Sequence, residues 1–258
     1  MGQRLGQHFL KNPHYARILA EAAKLGAGDT VVEIGPGTGA LTQELLATGA
    51  RVIAIEKDER LAANLIPMFE REVVEGRFKI LPMDIRDFDP RAHGLKAGGY
   101  VVAANIPYYI TGEIIRKFLE ERTPPSIIAL LIQKEVADRI VSKKESILSI
   151  SVKAYGTPKI IAKVSRGNFS PPPSVDSSII LIDKISKKNF KKIHEQRFFE
   201  VVRAGFASKR KQLLNNLGVK FGRDEALHAL KRAGVSEKAR AETVSVDEWF
   251  KLAGELHD

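Results

Sequence analysis

Three strand-to-helix junctions in this sequence carry residues able to hold a nucleotide. The first, "VVEIGPGTGALTQELL", sets Gly35, Gly37 and Gly39 on a turn. Glycines there allow positive φ, bring the main chain close to a ligand and aim the N–H groups of the next helix at it. Gly35-x-Gly37-x-x-Ala40 also satisfies the dinucleotide fingerprint G-x-G-x-x-G/A, so the loop alone does not choose between adenosine-containing cofactors. Glu56 closes the next apolar run, "RVIAIEKD", where a carboxylate can accept both ribose hydroxyls. Asp84 closes "ILPMDIRDF" and suits an adenine amino group. A strand-end aspartate often only caps the following helix, so Asp84 gains its weight from Gly35 and Glu56. All three face the crevice at the carboxyl ends of the strands, where open α/β sheets bind ligands.

The fourth junction, "VVAANIPYYITGE", ends a buried run on Asn105, Ile106, Pro107 and Tyr108. An exocyclic adenine amine is a poor nucleophile because its lone pair is delocalised into the ring, and attack on a methyl sulfonium requires that pair to be freed. The Asn105 side-chain carbonyl and a main-chain carbonyl near Ile106 can accept the two amino hydrogens. Pro107 stiffens the turn, and Tyr108 can stack on an extruded base. In such a scheme the residues position the base and stabilise charge, and the surplus proton leaves to solvent.

These junctions need a scaffold, and the apolar pattern supplies one. Asn12-Pro13 opens a first helix that runs to about Leu25. Strand-like runs follow at Thr30 to Ile34, Val52 to Ile55, Phe78 to Leu81, Val101 to Ala104 and Ile127 to Ile132, with amphipathic stretches between them. Continuous apolar strands alternating with helices indicate an α/β fold with a parallel sheet covered on both faces. After Ser142 three further strands are expected, at Ile147 to Tyr155, Lys159 to Val164 and Ser177 to Asp183, adding antiparallel pairing at one end. From Phe190 the pattern is helical: Phe198, Val201, Val202 and Gly205 recur at i, i+3, i+4 and i+7. The expected division is residues 1–184 as the catalytic domain and 185–258 as a small all-helical domain.

The chain of 258 residues is 44% hydrophobic, enough for a sizeable core. It holds no cysteine, which removes disulfides, thiolate metal sites and a cysteine nucleophile, and no metal is called for. The N-terminus lacks the apolar core of a signal peptide, and the longest apolar run is far below the ~20 residues that span a bilayer. A soluble, cytoplasmic protein with no membrane partner is expected. The formal charge of +10 favours a polyanionic partner. Between Lys187 and Lys211 lie nine basic residues against only Glu195 and Glu200. Lys187, Lys188, Lys191, Lys192, Lys209, Arg210 and Lys211 are therefore the candidate contacts to RNA phosphates.

The chain resembles the ribosomal RNA adenine dimethyltransferase family, the dimethyladenosine transferases of small-subunit ribosomal RNA. The resemblance rests on "LGQHFL", "VVEIGPGTGALT", "IEKD", "NIPYYIT", "IQKEVADRI", "NFSPPPSVDSSI" and "ASKRKQLLNNL", in that order along nearly the whole chain. It implies a Rossmann-like methyltransferase sheet dependent on S-adenosylmethionine, with a helical C-terminal domain that binds RNA. It further implies methylation of paired adenines in small-subunit ribosomal RNA, with the immature small ribosomal subunit as the expected partner; a monomer is the default expectation. Cofactor contacts are implied at His8, Leu10, Gly35, Glu56, Asp84 and Asn105, and the Gly37 and Gly39 turn belongs with them. Target-adenine handling is implied at Asn105, Ile106, Pro107 and Tyr108, with Phe169 on the opposite face of the base.

Two departures stand out. His8 replaces the commonest family residue, Asn, and makes a titratable cofactor contact. "KKESILSIS" stands where relatives carry Tyr-Gly before Leu-Ser. The nearest competing reading is the large-subunit adenine methyltransferase group of macrolide resistance, from which "FASKRKQLLNNL" argues away. A ribosome assembly or transcription factor is a second competitor. An oxidoreductase offers no reason for Asn105 to Tyr108.

Overall fold

The computed structural model describes residues 8–256. Its elements, in order, are β1 (Phe9–Leu10), α1 (Pro13–Ala22), β2 (Thr30–Ile34), α2 (Ala40–Ala47), β3 (Arg51–Glu56), α3 (Glu59–Met68), α4 (Glu70–Val74), β4 (Phe78–Pro82), β5 (Val101–Asn105), α5 (Thr111–Glu120), β6 (Ile127–Gln133), α6 (Lys134–Val141), α7 (Ile147–Lys153), β7 (Thr157–Val164), β8 (Phe169–Ser170), β9 (Ser177–Asp183), α8 (Glu195–Gly205), α9 (Leu213–Phe221), α10 (Arg223–Ala233) and α11 (Val246–Glu255).

Seven strands form one sheet in the order β4-β3-β2-β5-β6-β9-β7. β4, β3, β2, β5 and β6 are parallel, whereas β9 pairs antiparallel with both β6 and β7. Their apolar, β-branched sequences suit strands buried on both faces, and Val31, Val32, Val52, Ala54, Val102 and Ala103 are fully buried. Asn12 caps α1 by accepting from the His14 N–H, and Pro13 occupies the first turn, where its missing N–H costs nothing. From β2 the chain moves outward through β3 to β4, then returns to lay β5 on the other side of β2. That reversal opens a crevice at the carboxyl ends of β2 and β5, the place where α/β sheets bind ligands.

The described residues fall into two compact units. One holds those up to Ala137 together with Thr157–Ile185; the other holds Asp138–Gly156 and the chain from Ser186 onward. The sheet, with β1 and β8 as a separate two-stranded pair, lies in the first unit. The second is helical, and its core buries Phe198, Val201, Val202, Leu217, Leu230 and Trp249. Gly205 is required there because a side chain would collide with the Trp249 ring.

Two expectations are corrected. The segment Ile147 to Tyr155 is not a strand: Ile147–Lys153 is helix α7, started by Ser146 in a capping box with Ser149. Glu145 accepts from the Ser149 hydroxyl and from Lys153 Nζ, which fixes the helix entrance. Residues 138–156 accordingly pack with the second unit, not with 1–184. Among the described residues no helix is long and apolar enough to cross a membrane.

Candidate active site

The ends of β2, β3, β4 and β5 line a cleft of about 310 Å³ in the first unit. The turn after β2 is held by the Gly35 N–H donating to the Ile55 carbonyl (2.9 Å), with φ of 63°, 57° and 84° at Gly35, Gly37 and Gly39. The three glycines serve differently. A Cβ at Gly35 would meet nothing within 4 Å, leaving open room on the cleft wall. One at Gly37 would meet the Phe9 ring at 2.8 Å, and one at Gly39 would strike Leu65 at 2.9 Å. Gly39 begins α2 and is not at the cleft; it lets that helix pack.

Glu56 is buried, with each oxygen taking one main-chain donor: the Gly37 N–H at 3.3 Å and the Asp58 N–H at 3.0 Å. A carboxylate has about four acceptor positions, so two remain for ligand hydroxyls. Beneath it in β2, Glu33 is fully buried and accepts from the Thr42 hydroxyl at 2.7 Å. Burial, with the nearby Glu56 charge, pushes its carboxyl up to about 8 against the opposing Thr42 bond.

Asp84 is differently engaged. Oδ1 accepts from the Arg86 N–H and Nε, both at 3.0 Å, and Oδ2 accepts from Arg86 Nη2 at 2.6 Å and Lys57 Nζ at 2.9 Å. The Arg86 guanidinium holds this carboxyl well below the usual range. An adenine amine can reach Asp84 only if Lys57 or Arg86 swings aside. Their side chains are 63% and 60% exposed, so the exchange is cheap.

At the end of β5, the Asn105 Nδ2 donates to the His8 carbonyl at 3.1 Å, so that among the described residues Oδ1 keeps its acceptor capacity. Ile106 and Pro107 continue the wall, and Pro107 has φ −56°. Tyr108 is half-buried; its hydroxyl pairs with Ser177 Oγ at 2.8 Å, and burial raises its pKa. The His8 Nδ1 bonds the Pro171 carbonyl at 2.8 Å, and its ring lies 5.8 Å from that of Tyr108.

Leu10 and Phe169 are not brought to the cleft. They pair across β1 and β8 and enter the hydrophobic core, with Phe169 only 1% exposed. Strand alternation turns Phe9 to the cleft in place of Leu10. Sequence reasoning passed over Lys57 and Arg86, whose signal is their position one and two residues after the strand-end acids. It also passed over Ser177, which lies 69 residues from Tyr108 and has no local signal.

In the second unit, Lys188, Lys191, Lys192, Lys209, Arg210 and Lys211 are exposed. Lys187 is half-buried and paired with Glu195 at 3.1 Å. The buried Asn216 amide donates to the carbonyls of Gly205 (2.6 Å) and Ser208 (3.0 Å) and so fixes the turn that presents Lys209 to Lys211.

The profile described as ribosomal RNA adenine dimethylase matches residues 2–258 of the chain. The sequence is 40% identical over 252 residues to the ribosomal RNA small subunit methyltransferase A of Dehalococcoides mccartyi strain CBDB1, covering 96% of this chain and 86% of that one. It is 38% identical to the protein of that name in Clostridioides difficile strain 630, covering 96% and 88%. Among solved structures, a dimethyladenosine transferase from Plasmodium falciparum superposes with a TM-score of 0.79 at 28% identity, covering 95% and 96%. The 23S rRNA methyltransferase ErmE superposes with 0.75 at 26% identity, covering 96% and 99%.

Proposed function

Because this chain belongs to the ribosomal RNA adenine dimethylase family, we propose that its cleft carries methyl groups from S-adenosylmethionine to the exocyclic amines of two adjacent adenosines in small-subunit ribosomal RNA. It does so as a monomer, on the immature small subunit. The names of the relatives at 40% and 38% identity support the small subunit as the substrate. The single observation that carries the chemistry is the Asn105 amide, whose Nδ2 is spent on the His8 carbonyl so that Oδ1 is kept as an acceptor.

The residues fit the donor. The open room at Gly35 admits a nucleoside against the main chain, and Glu56 keeps two acceptor positions for ribose hydroxyls. Asp84 takes an adenine amine once Lys57 or Arg86 yields. When bound, S-adenosylmethionine supplies an electrophilic methyl group.

The cleft residues prepare the nucleophile. Asn105 Oδ1 and the Ile106 carbonyl accept the two amino hydrogens of the target base, which localises the nitrogen lone pair and aims it. Pro107 limits the freedom of the turn, and the Tyr108 ring supports the base face. The surplus amine proton is free to leave for solvent, so no side chain has to act as a base.

The exposed Lys188, Lys191, Lys192, Lys209, Arg210 and Lys211 bind RNA phosphates, with Lys187 a weaker contributor because Glu195 already holds it. Incubation with labelled donor and separated ribosomal subunits tests the reading: label enters the small-subunit RNA. Label confined to the large-subunit RNA, or none in either, refutes it.

A further inference from the structure

Asp84 has no acceptor position to spare. Of the about four that a carboxylate offers, the Arg86 N–H and Nε take those on Oδ1, and Arg86 Nη2 and Lys57 Nζ take those on Oδ2. The Arg86 bonds, one of them from the main chain, hold the carboxyl ionised well below the usual range, and the single Lys57 bond adds less. An adenine amine that donates to Asp84 must therefore displace one partner. Lys57 is attached by one bond through a flexible stem and its side chain is 63% exposed, so it is the partner most easily given up.

We propose that Lys57 is a contact to the RNA backbone that the methyl donor switches on: the donor's adenine amine takes the place of Lys57 on Asp84 Oδ2, and the freed ammonium meets a phosphate of the target strand. This rests on the function proposed above and states how its two ligands are coupled. Three carboxylates line the cleft, at Glu56, Asp84 and Glu113. Glu56 is held by two main-chain N–H groups and faces the ribose, Asp84 keeps Arg86, and Glu113 already supports the Arg86 cation, so none is left unengaged for the released ammonium. Lys117, also at the cleft, donates to the Arg86 carbonyl at 3.3 Å and adds a further cation, so this rim favours an anion. A base that enters the cleft out of its strand brings its own phosphates to that rim. The coupling is reciprocal: the donor raises RNA affinity, and RNA raises donor affinity by the same factor.

The test measures the affinity for small-subunit ribosomal RNA across salt, with and without S-adenosylhomocysteine, in native protein, Lys57→Met and Lys57→Arg, together with S-adenosylhomocysteine affinity by calorimetry. That nucleoside carries the adenine amine and no net charge, so it adds no attraction for RNA of its own. In native protein it should steepen the slope of log K against log salt by about 0.7–0.9, the value of one phosphate contact, and tighten RNA binding roughly fivefold at 0.1 M salt. Lys57→Arg should keep that gain. Lys57→Met should lose it and yet bind S-adenosylhomocysteine roughly two- to fivefold more tightly, since one exposed ion pair no longer has to be displaced. A residue that merely shaped the cleft would weaken that affinity when replaced. A native slope that S-adenosylhomocysteine leaves unchanged, a gain retained by Lys57→Met, or S-adenosylhomocysteine affinity in Lys57→Met equal to or below the native value would each overturn the switch. Native protein that binds neither S-adenosylhomocysteine nor the RNA would instead overturn the function itself, and the switch with it.

Discussion

Glu33 lies within β2, where neither its sequence position nor its charge suggests a buried carboxyl. Its raised pKa ties stability to pH. An ordinary carboxylate in the unfolded chain ionises near pH 4.3, whereas this group stays protonated in the folded protein to about 8. Its contribution is therefore fully present below about pH 4.3 and is lost as the pH rises through 8, at most about 1.4 kcal/mol per pH unit. Glu33→Gln, which keeps an acceptor for the Thr42 hydroxyl, should flatten that part of the Tm–pH profile and raise Tm at pH 8. Parallel profiles for the two proteins would contradict the assignment. The same scale explains why the burial of the Leu10 and Phe169 side chains was not legible in the sequence. In two-residue strands such as β1 and β8 the alternation is too short to read, so which side chain faces the core is set by the register Leu10 to Phe169.

At the scale of elements, the turn between β2 and α2 separates two glycine roles. Gly35→Ala should cost about 1 kcal/mol in stability from its positive φ, yet abolish most donor binding by filling the nucleoside cradle. Gly39→Ala should cost more stability, as its methyl strikes Leu65 and Phe69, with a smaller effect on donor affinity. Thermal melts with donor titrations separate the two, and equal effects would remove the distinction. In α9, Asn216→Ala removes the donor to the Gly205 carbonyl and one of two donors to the Ser208 carbonyl, and should destabilise the protein by about 1–3 kcal/mol in denaturant titrations.

The strands were legible because their apolar, β-branched runs are bounded by glycines and acids, and α8 because its period of 3.6 is clean. Ile147 to Tyr155 misled because Leu148, Ser149, Ile150, Ser151 and Val152 alternate like a strand. The Ser146 capping box and the Glu145–Lys153 pair override that propensity; the box has Ser149 where the usual signature has Glu or Gln, so it is a weak signal in sequence. The site residues at strand ends were legible for the same reason as the strands, whereas Ser177 and the buried Phe169 depend on contacts distant in sequence.

For the whole molecule, charge is distributed unevenly. The candidate cleft lies in the sheet unit, and the densest basic segment belongs to the helical one. Replacing Lys209, Arg210 and Lys211 by Ala should weaken RNA affinity and lower the salt slope of log K by up to about 3, while donor Kd holds. An unchanged slope would remove these residues from the RNA contact.

The central claim is that Asn105 prepares an adenine amine for methylation, and it is tested most directly by mass spectrometry of small-subunit RNA after reaction with native protein and with a folded Asn105→Ala variant of equal donor affinity. Native protein should leave dimethyladenosine at two adjacent positions, and the variant should react on the order of a hundredfold more slowly. Native rates from the variant, or methylation of any group other than an adenine amine, would contradict the account.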